Sequence, residues 1–207
     1  MFITFEGIEG SGKSTQAKRL AGYFQQRGFG CVLTREPGAT PIGAKIRSVL
    51  LDPDSRGLVP DAELLLYLAD RVQHQQTLIL PALARGEHVI SDRYADATLV
   101  YQGYARGIDP SRILELHRSF CQGLDPNLTF LLDLPVEAGL ERAIGALQQG
   151  DREQRESRFE LEHLDFHRRV RSGYLMLAKT HPERFRIIDA RPSPEDIHRI
   201  ILSHIAL

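Results

Sequence analysis

The first fifteen residues, MFITFEGIEGSGKST, constrain this chain more than any other stretch. Phe2 to Phe5 is a short run of β-branched and aromatic residues, and Gly7 to Ser14 fits G-x-x-x-x-G-K-[ST], a phosphate-binding loop. The residue types follow from the chemistry. Glycines let the backbone adopt positive φ and bring bare N–H groups against phosphate oxygens. Lys13 can set a point charge between phosphates, and the Ser14 hydroxyl can ligate Mg²⁺. A helix opening at this point aims its positive end at the same anion. Gly7, Ile8, Glu9, Gly10, Ser11, Gly12, Lys13, Ser14 and Thr15 are therefore the expected nucleotide-phosphate cradle.

The remainder alternates strand-like and helix-like stretches. Strands are expected at Cys31 to Thr34, His88 to Ser91, Leu128 to Leu134 and Phe185 to Asp189. The helical periodicity covers residues 13–27, 42–51 and 61–85, the last with Pro81 as a possible break. Further helices are expected over residues 95–104, from Ser111 to about 123, from Val136, over 158–179 and over 193–205. Alternation from end to end argues one α/β domain with a parallel sheet and helices on both faces. Ligands of such sheets bind beyond the carboxyl ends of the strands. Glu6-Gly7, Arg35-Glu36 and Asp92-Arg93 all fall there.

Composition excludes several classes. The formal net charge of -1 over 207 residues offers no field to recruit nucleic acid or an acidic membrane. No apolar run approaches transmembrane length. The start lacks a basic segment followed by an apolar one, so a cytoplasmic chain without a cleaved leader is expected. Two cysteines, Cys31 and Cys121, make no metal-ligand spacing and read as reduced thiols.

Several constellations have a chemical reading beside a plain structural one. Asp92 at the end of an apolar strand can hold Mg²⁺ next to a phosphate loop, and Arg93 can clamp a second phosphate; alternatively they are a helix cap and a surface arginine. Arg35, Glu36 and Arg47 can address an acceptor phosphate or form a loop ion pair. Tyr67 and Arg71 lie four apart on one helix face, so an aromatic and a guanidinium can read a base together. Thr98, Tyr101 and Gln102 follow Asp92-Arg93 at helical spacing. Arg142 with Arg152, Arg155 and Arg158 brackets a polar stretch. Arginines on such a lid, expected over about residues 143–157, can close on transferring phosphates and exclude water; the plain alternative is a solvated charged loop.

Four motifs, FEGIEGSGKST (5–15), TREPGATP (34–41), LLLYLADRVQH (64–74) and SDRYADATLVYQGYARG (91–107), occur in the order found in the thymidylate kinase (dTMP kinase) family, and the chain resembles that family over its whole length. The resemblance implies a P-loop NTPase-like five-stranded parallel sheet with a short lid. It implies transfer of the γ-phosphoryl group of ATP to dTMP, with Mg²⁺ as the metal and a homodimer as the assembly. It places Tyr67 on the thymine ring, Arg71 on a base carbonyl, and Thr98 and Gln102 at the base edge. Tyr101 would disfavour a ribose 2′-hydroxyl, and Glu9 would lie near the 3′-hydroxyl. Glu36 and Pro37 would border the acceptor, and Arg47 and Arg93 would contact its phosphate. Glu36 and Asp92 would join Ser14 in the metal and water network. The phosphate loop has no arginine among Ile8, Glu9, Gly10 and Ser11, so the resemblance is to the bacterial arrangement. There the catalytic arginine is in the lid: Arg158 first, then Arg152 or Arg155. Departures from the commonest family residues are Ala39 for glycine, Tyr67 for phenylalanine, Ala97 for serine and Ser157 for aspartate.

Overall fold

The computed structural model describes residues 1–149 and 157–205. Five strands form one parallel sheet: β1 (Phe2–Glu6), β2 (Cys31–Arg35), β3 (His88–Asp92), β4 (Leu128–Asp133) and β5 (Phe185–Asp189), in the order β2-β3-β1-β4-β5. β1 is central, and all five of its residues are buried, as expected of a parallel strand covered on both faces. Its register with β3 pairs Phe5 with Asp92. That pairing sets the acidic end of β3 beside the start of the phosphate loop.

Nine α-helices are described. They are α1 (Lys13–Gln26), α2 (Pro41–Leu51), α3 (Pro60–His74), α4 (Leu80–Ala84), α5 (Ala95–Thr98), α6 (Pro110–Cys121), α7 (Val136–Gln148), α8 (Leu164–Thr180) and α9 (Pro194–Ser203). Besides these there are a 3₁₀ turn at Pro53–Gly57 and wide π turns at Gln75–Ile79 and Leu99–Ala105, the last of which continues α5 and carries Tyr101 and Gln102. Ile3, Phe5, Leu20, Phe24, Phe130 and Leu132 belong to a large apolar core that is shared with α8 and α9. Phe2, Ile79, Val89 and Tyr94 pack as a smaller cluster. No helix among the described residues is long and apolar enough to cross a membrane.

Three helical expectations change in detail. The 61–85 helix does contain an interruption, a wide π turn at Gln75–Ile79 between α3 and α4. Pro81 follows directly; it lacks an N–H, and its ring crowds the preceding turn. The helix expected from Ser111 starts one residue earlier, with Pro110 in its first turn and Asp109 accepting from Ser111 N as the cap. The helix expected over 158–179 starts only at Leu164. Tertiary contacts claim the preceding segment: Arg158 N–H donates to the Leu51 carbonyl, and the Phe159 ring lies edge-on to Tyr101 at 5.4 Å. Residues 143–148 of the expected lid continue α7. Residues 150–156, with Arg152 and Arg155, lie outside the described residues.

Candidate active site

The phosphate loop is pressed between β4 and α7. Gly7 has φ 139°, and a Cβ there would stand 2.5 Å from the Leu132 carbonyl oxygen; Gly10 has φ 69°, and its Cβ would meet the Gly139 carbonyl oxygen at 2.0 Å. Both positions require glycine on two counts, conformation and space. Lys13 opens α1 and folds back over the loop, donating to the Ile8 carbonyl at 2.6 Å and the Ser11 hydroxyl at 3.3 Å. Burial pushes its pKa down to about 8, and the nearby Arg93 charge adds to the shift against Asp92, Glu9 and Glu6. The nearby carboxylates thus do not offset burial and the Arg93 charge at this ammonium. The Ser14 hydroxyl donates directly to the Asp92 carboxylate.

Arg93 has φ 71°, unusual for a residue with a side chain. Its guanidinium is held from three sides, donating to the Tyr174 and Tyr101 hydroxyls at 2.9 Å each and to Glu9 at 3.3 Å. Glu9 also accepts from Tyr101 at 2.5 Å and lies 3.2 Å from His167 Nδ1. Burial alone would raise the Glu9 pKa. The His167 hydrogen bond and the Arg93 and Lys13 charges outweigh it and hold the carboxyl well below the usual range.

The opposite end is built on α3. Arg71 is 1% exposed. It donates through Nε to Glu36 at 2.7 Å and through Nη2 to the Thr98 hydroxyl at 2.5 Å, while its buried Nη1 has no partner among the described residues. His74 Nδ1 lies 3.3 Å from the second Glu36 oxygen. Arg47 on α2 donates to the Pro37 carbonyl at 2.9 Å. Gln102 donates to Glu63 at 2.7 Å.

A cavity of about 400 Å³ joins the two ends. Glu9, Gly10, Gly12, Lys13, Ser14, Thr15, Asp92 and Arg93 line it on the phosphate-loop side. Glu36, Pro37, Arg47, Tyr67, Arg71, Thr98, Tyr101 and Gln102 line it on the other.

The thymidylate kinase family model matches residues 5–201. Thymidylate kinase of Desulfosudis oleivorans is 54% identical over 97% of this chain and 94% of its own length. That of Nitratidesulfovibrio vulgaris (strain DP4) is 52% identical over 100% and 92%. A crystal structure of thymidylate kinase from Ehrlichia chaffeensis superposes with a TM-score of 0.75 at 34% identity, covering 98% of this chain and 97% of that one. The chain belongs to the thymidylate kinase family. It is a kinase that phosphorylates dTMP to dTDP with ATP as donor.

Within this thymidylate kinase fold, two expected roles meet a different geometry. Arg158, first choice for the lid arginine, does not line the cavity. It is 5% exposed, paired with Glu63 and donating to the Leu50 carbonyl at 2.9 Å. Its surroundings are those of a strut between the segment before α8, α2 and α3. The α7 arginine that does line the cavity is Arg142, whose Cβ packs on Gly10 and whose Nη1 donates to the Ala190 carbonyl at 3.1 Å. Glu36, expected in the metal network, gives its two oxygens to Arg71 and His74.

Several contributors went unread in the sequence. Tyr174 and His167 of α8 reach Arg93 and Glu9 from more than seventy residues away. Glu63 gathers Gln102, Arg106 and Arg158. Glu6 is legible in the sequence as a strand end, but its partners are not: it accepts from Tyr94 N–H at 2.8 Å and the Tyr174 hydroxyl at 2.7 Å, and burial next to Asp96 pushes its pKa up to about 8. Asp70 and His74 stand inside the matched LLLYLADRVQH stretch, the one sequence signal that could have found them.

Proposed function

We propose that this cavity is where the γ-phosphoryl group of ATP passes in line to the 5′-phosphate of dTMP, with the two nucleotides meeting between Lys13 and Arg93. One observation carries the reading: Arg71, whose buried Nη1 has no partner among the described residues, lines the same cavity as the phosphate loop. A buried unsatisfied donor is costly, and a base carbonyl would satisfy it. Tyr67 would cover the ring, and the base edge would face Thr98 and Gln102. Tyr101, held by Glu9, would crowd a 2′-hydroxyl. Arg47 and Arg93 would bind the acceptor phosphate beside Pro37.

A phosphate oxygen of dTMP forms the new bond to the γ-phosphorus as the bond to the β-bridging oxygen breaks, and ADP leaves. Little covalent work falls to the protein, so positioning and charge neutralisation carry the catalysis. The loop amides of Gly10, Gly12 and Thr15 would cradle the donor phosphates, and Lys13 would follow the transferring group. Arg142, or Arg152 or Arg155 of the lid, would cover it. The Ser14 hydroxyl and Asp92 carboxylate fit Mg²⁺, a hard cation that takes few protein oxygens and completes its shell with phosphates and water. When bound there, it would neutralise charge on the phosphate oxygens. Glu36 would act through Arg71.

A homodimer is part of this reading, supported by apolar side chains left exposed at and before the start of α3, such as Leu65 at 58% and Val59 at 61%; sedimentation velocity tests it. A cytoplasmic location is part of the same reading, and the near-neutral net charge accords with the absence of a nucleic-acid partner.

The experiment is an ADP-release assay with ATP and Mg²⁺, offering dTMP, dUMP, ribo-TMP, dCMP and thymidine in turn. Strong turnover with dTMP, less with dUMP and almost none with thymidine is expected. Turnover of thymidine, or ATP hydrolysis indifferent to every acceptor, would overturn the roles given to Arg47, Tyr67, Arg71 and Arg93.

A further inference from the structure

The turn of α3 that supplies Arg71 also carries Asp70, a charged side chain with no part in the chemistry above. Asp70 is 0% exposed. A buried carboxylate persists only where hydrogen bonds hold it. Both of its oxygens face one donor, the Gly38 N–H, at 3.2 and 3.3 Å. Gly38 sits in the loop between β2 and α2 with φ 99°, and a Cβ there would lie 2.6 Å from Arg47 Cδ. The aliphatic stem of Arg47 therefore runs directly over Gly38. Its head donates to the Pro37 carbonyl in the same loop.

The other flank of Asp70 is as tight. A Cβ on Gly43, in the first turn of α2, would stand 2.2 Å from Asp70 Oδ1. That turn is pinned by the Thr40 side chain, which accepts from Gly43 N–H at 2.9 Å. Asp70 thus sits between the loop at Gly38 and the start of the helix that carries Arg47. Arginine is rotamer-rich, and aiming it at an anion requires fixed walls. Gly38 is one such wall, and Asp70 fixes it.

We infer that Asp70 is a positioning residue for the acceptor phosphate: by holding the Gly38 amide against the first turn of α2, it sets the direction in which Arg47 presents its guanidinium. The inference rests on the assignment of Arg47 to that phosphate. Asp70 touches neither nucleotide in this account. Its loss should act on acceptor binding and leave the donor side, across the cavity, unchanged.

Steady-state kinetics of Asp70→Ala, Asp70→Asn, Arg47→Ala and the Arg47→Ala/Asp70→Ala double variant test this. Displacing a positioning group by about an ångström costs roughly ten- to a hundredfold. Asp70→Ala should raise the KM for dTMP by that order, with the KM for ATP within about twofold of the parent. Asp70→Asn keeps an oxygen for the Gly38 N–H and should restore the dTMP KM nearly to the parent value. In the Arg47→Ala background, Asp70→Ala should add little. If Asp70→Ala does not fold, Gly43→Ala presses on the same carboxylate and should give the same selective rise. Equal rises in both KM values, or a full Asp70→Ala effect in the absence of Arg47, would overturn the inference alone. An Arg47→Ala enzyme with an unchanged dTMP KM would overturn the assignment of Arg47 itself.

Discussion

Replacing Arg71 by lysine separates what its charge does from what its shape does. The guanidinium points its nitrogens three ways: Nε donates to Glu36 at 2.7 Å, Nη2 donates to Thr98 at 2.5 Å, and Nη1 is buried without a partner among the described residues. A lysine ammonium at the same site is one point charge and can take only one of these directions. The buried Glu36 carboxylate, already held low against burial by Arg71 and His74, would draw it. Glu36 then keeps a cation, so the stability loss should be that of imperfect hydrogen bonding, about 1–2 kcal/mol, rather than the roughly 3–5 kcal/mol of a broken buried pair. For a domain of this size that is a fall in Tm of a few degrees, at about 2–4 °C per kcal/mol. The base contact, in contrast, is lost outright. A hydrogen bond from a charged group is worth about 1.5–3 kcal/mol, so kcat/KM for dTMP should fall roughly 10- to 150-fold at about 1.36 kcal/mol per tenfold. The KM for ATP should stay within about twofold, since Nη1 is assigned to the base and not to the donor. A coupled ADP-release assay at varied dTMP and a thermal melt give both quantities from one preparation. An Arg71→Lys enzyme retaining kcat/KM for dTMP within about threefold, or losing it equally for ATP, would refute the reasoning.

Three further outcomes are expected. Gly10→Ala should abolish ATP turnover and lower Tm, because the new Cβ meets backbone oxygen at 2.0 Å, which no side-chain rotation relieves; near-parent activity in the ADP assay would contradict this. The Lys13 pKa is lowered to about 8 by burial and the Arg93 charge and should rise when phosphate anions bind, so binding should take up protons near pH 8 and ATP affinity should fall as pH rises through that value. Calorimetry in buffers of different ionisation enthalpy measures the uptake, and none at pH 8 would count against it. Glu6 is raised from 4.5 to about 8, so the native state binds more protons than the unfolded state between those values and this group makes stability fall as pH rises through the window. Glu6→Gln should flatten that slope in denaturant titrations, and an unchanged slope would assign the dependence to other groups.

Much of the architecture was legible because its determinants are local. The β-branched and aromatic run of β1 and the continuous apolar run of β4, the helical spacing of Ala17, Leu20, Ala21 and Phe24, and the glycines of the phosphate loop each follow from backbone sterics within a few residues. The convergence of Glu6, Arg35 and Asp92 on one edge was also readable, since parallel strands present their carboxyl ends together. Pro81 announced a disturbance in its helix, though not that a π turn would absorb it.

The partners of long charged side chains were not legible. Arg158 reads in sequence as a lid cation, yet the fold delivers it to Glu63 and Leu50, because residues 157–163 fold against α2 and α3 instead of extending α8. Glu36 reads as a metal ligand, and tertiary packing sets Arg71 and His74 against both its oxygens. Asp70 carries no signal of its own until Gly38 and Gly43 close around it. The sequence by itself thus determined the sheet, the phosphate loop and many of the residues that border the cavity, though not Phe159 or Glu160, which the fold brings there. Tertiary structure alone decided which charge answers which, because backbone preferences are set by near neighbours, while a buried charge is settled by whatever the rest of the chain brings within hydrogen-bonding reach.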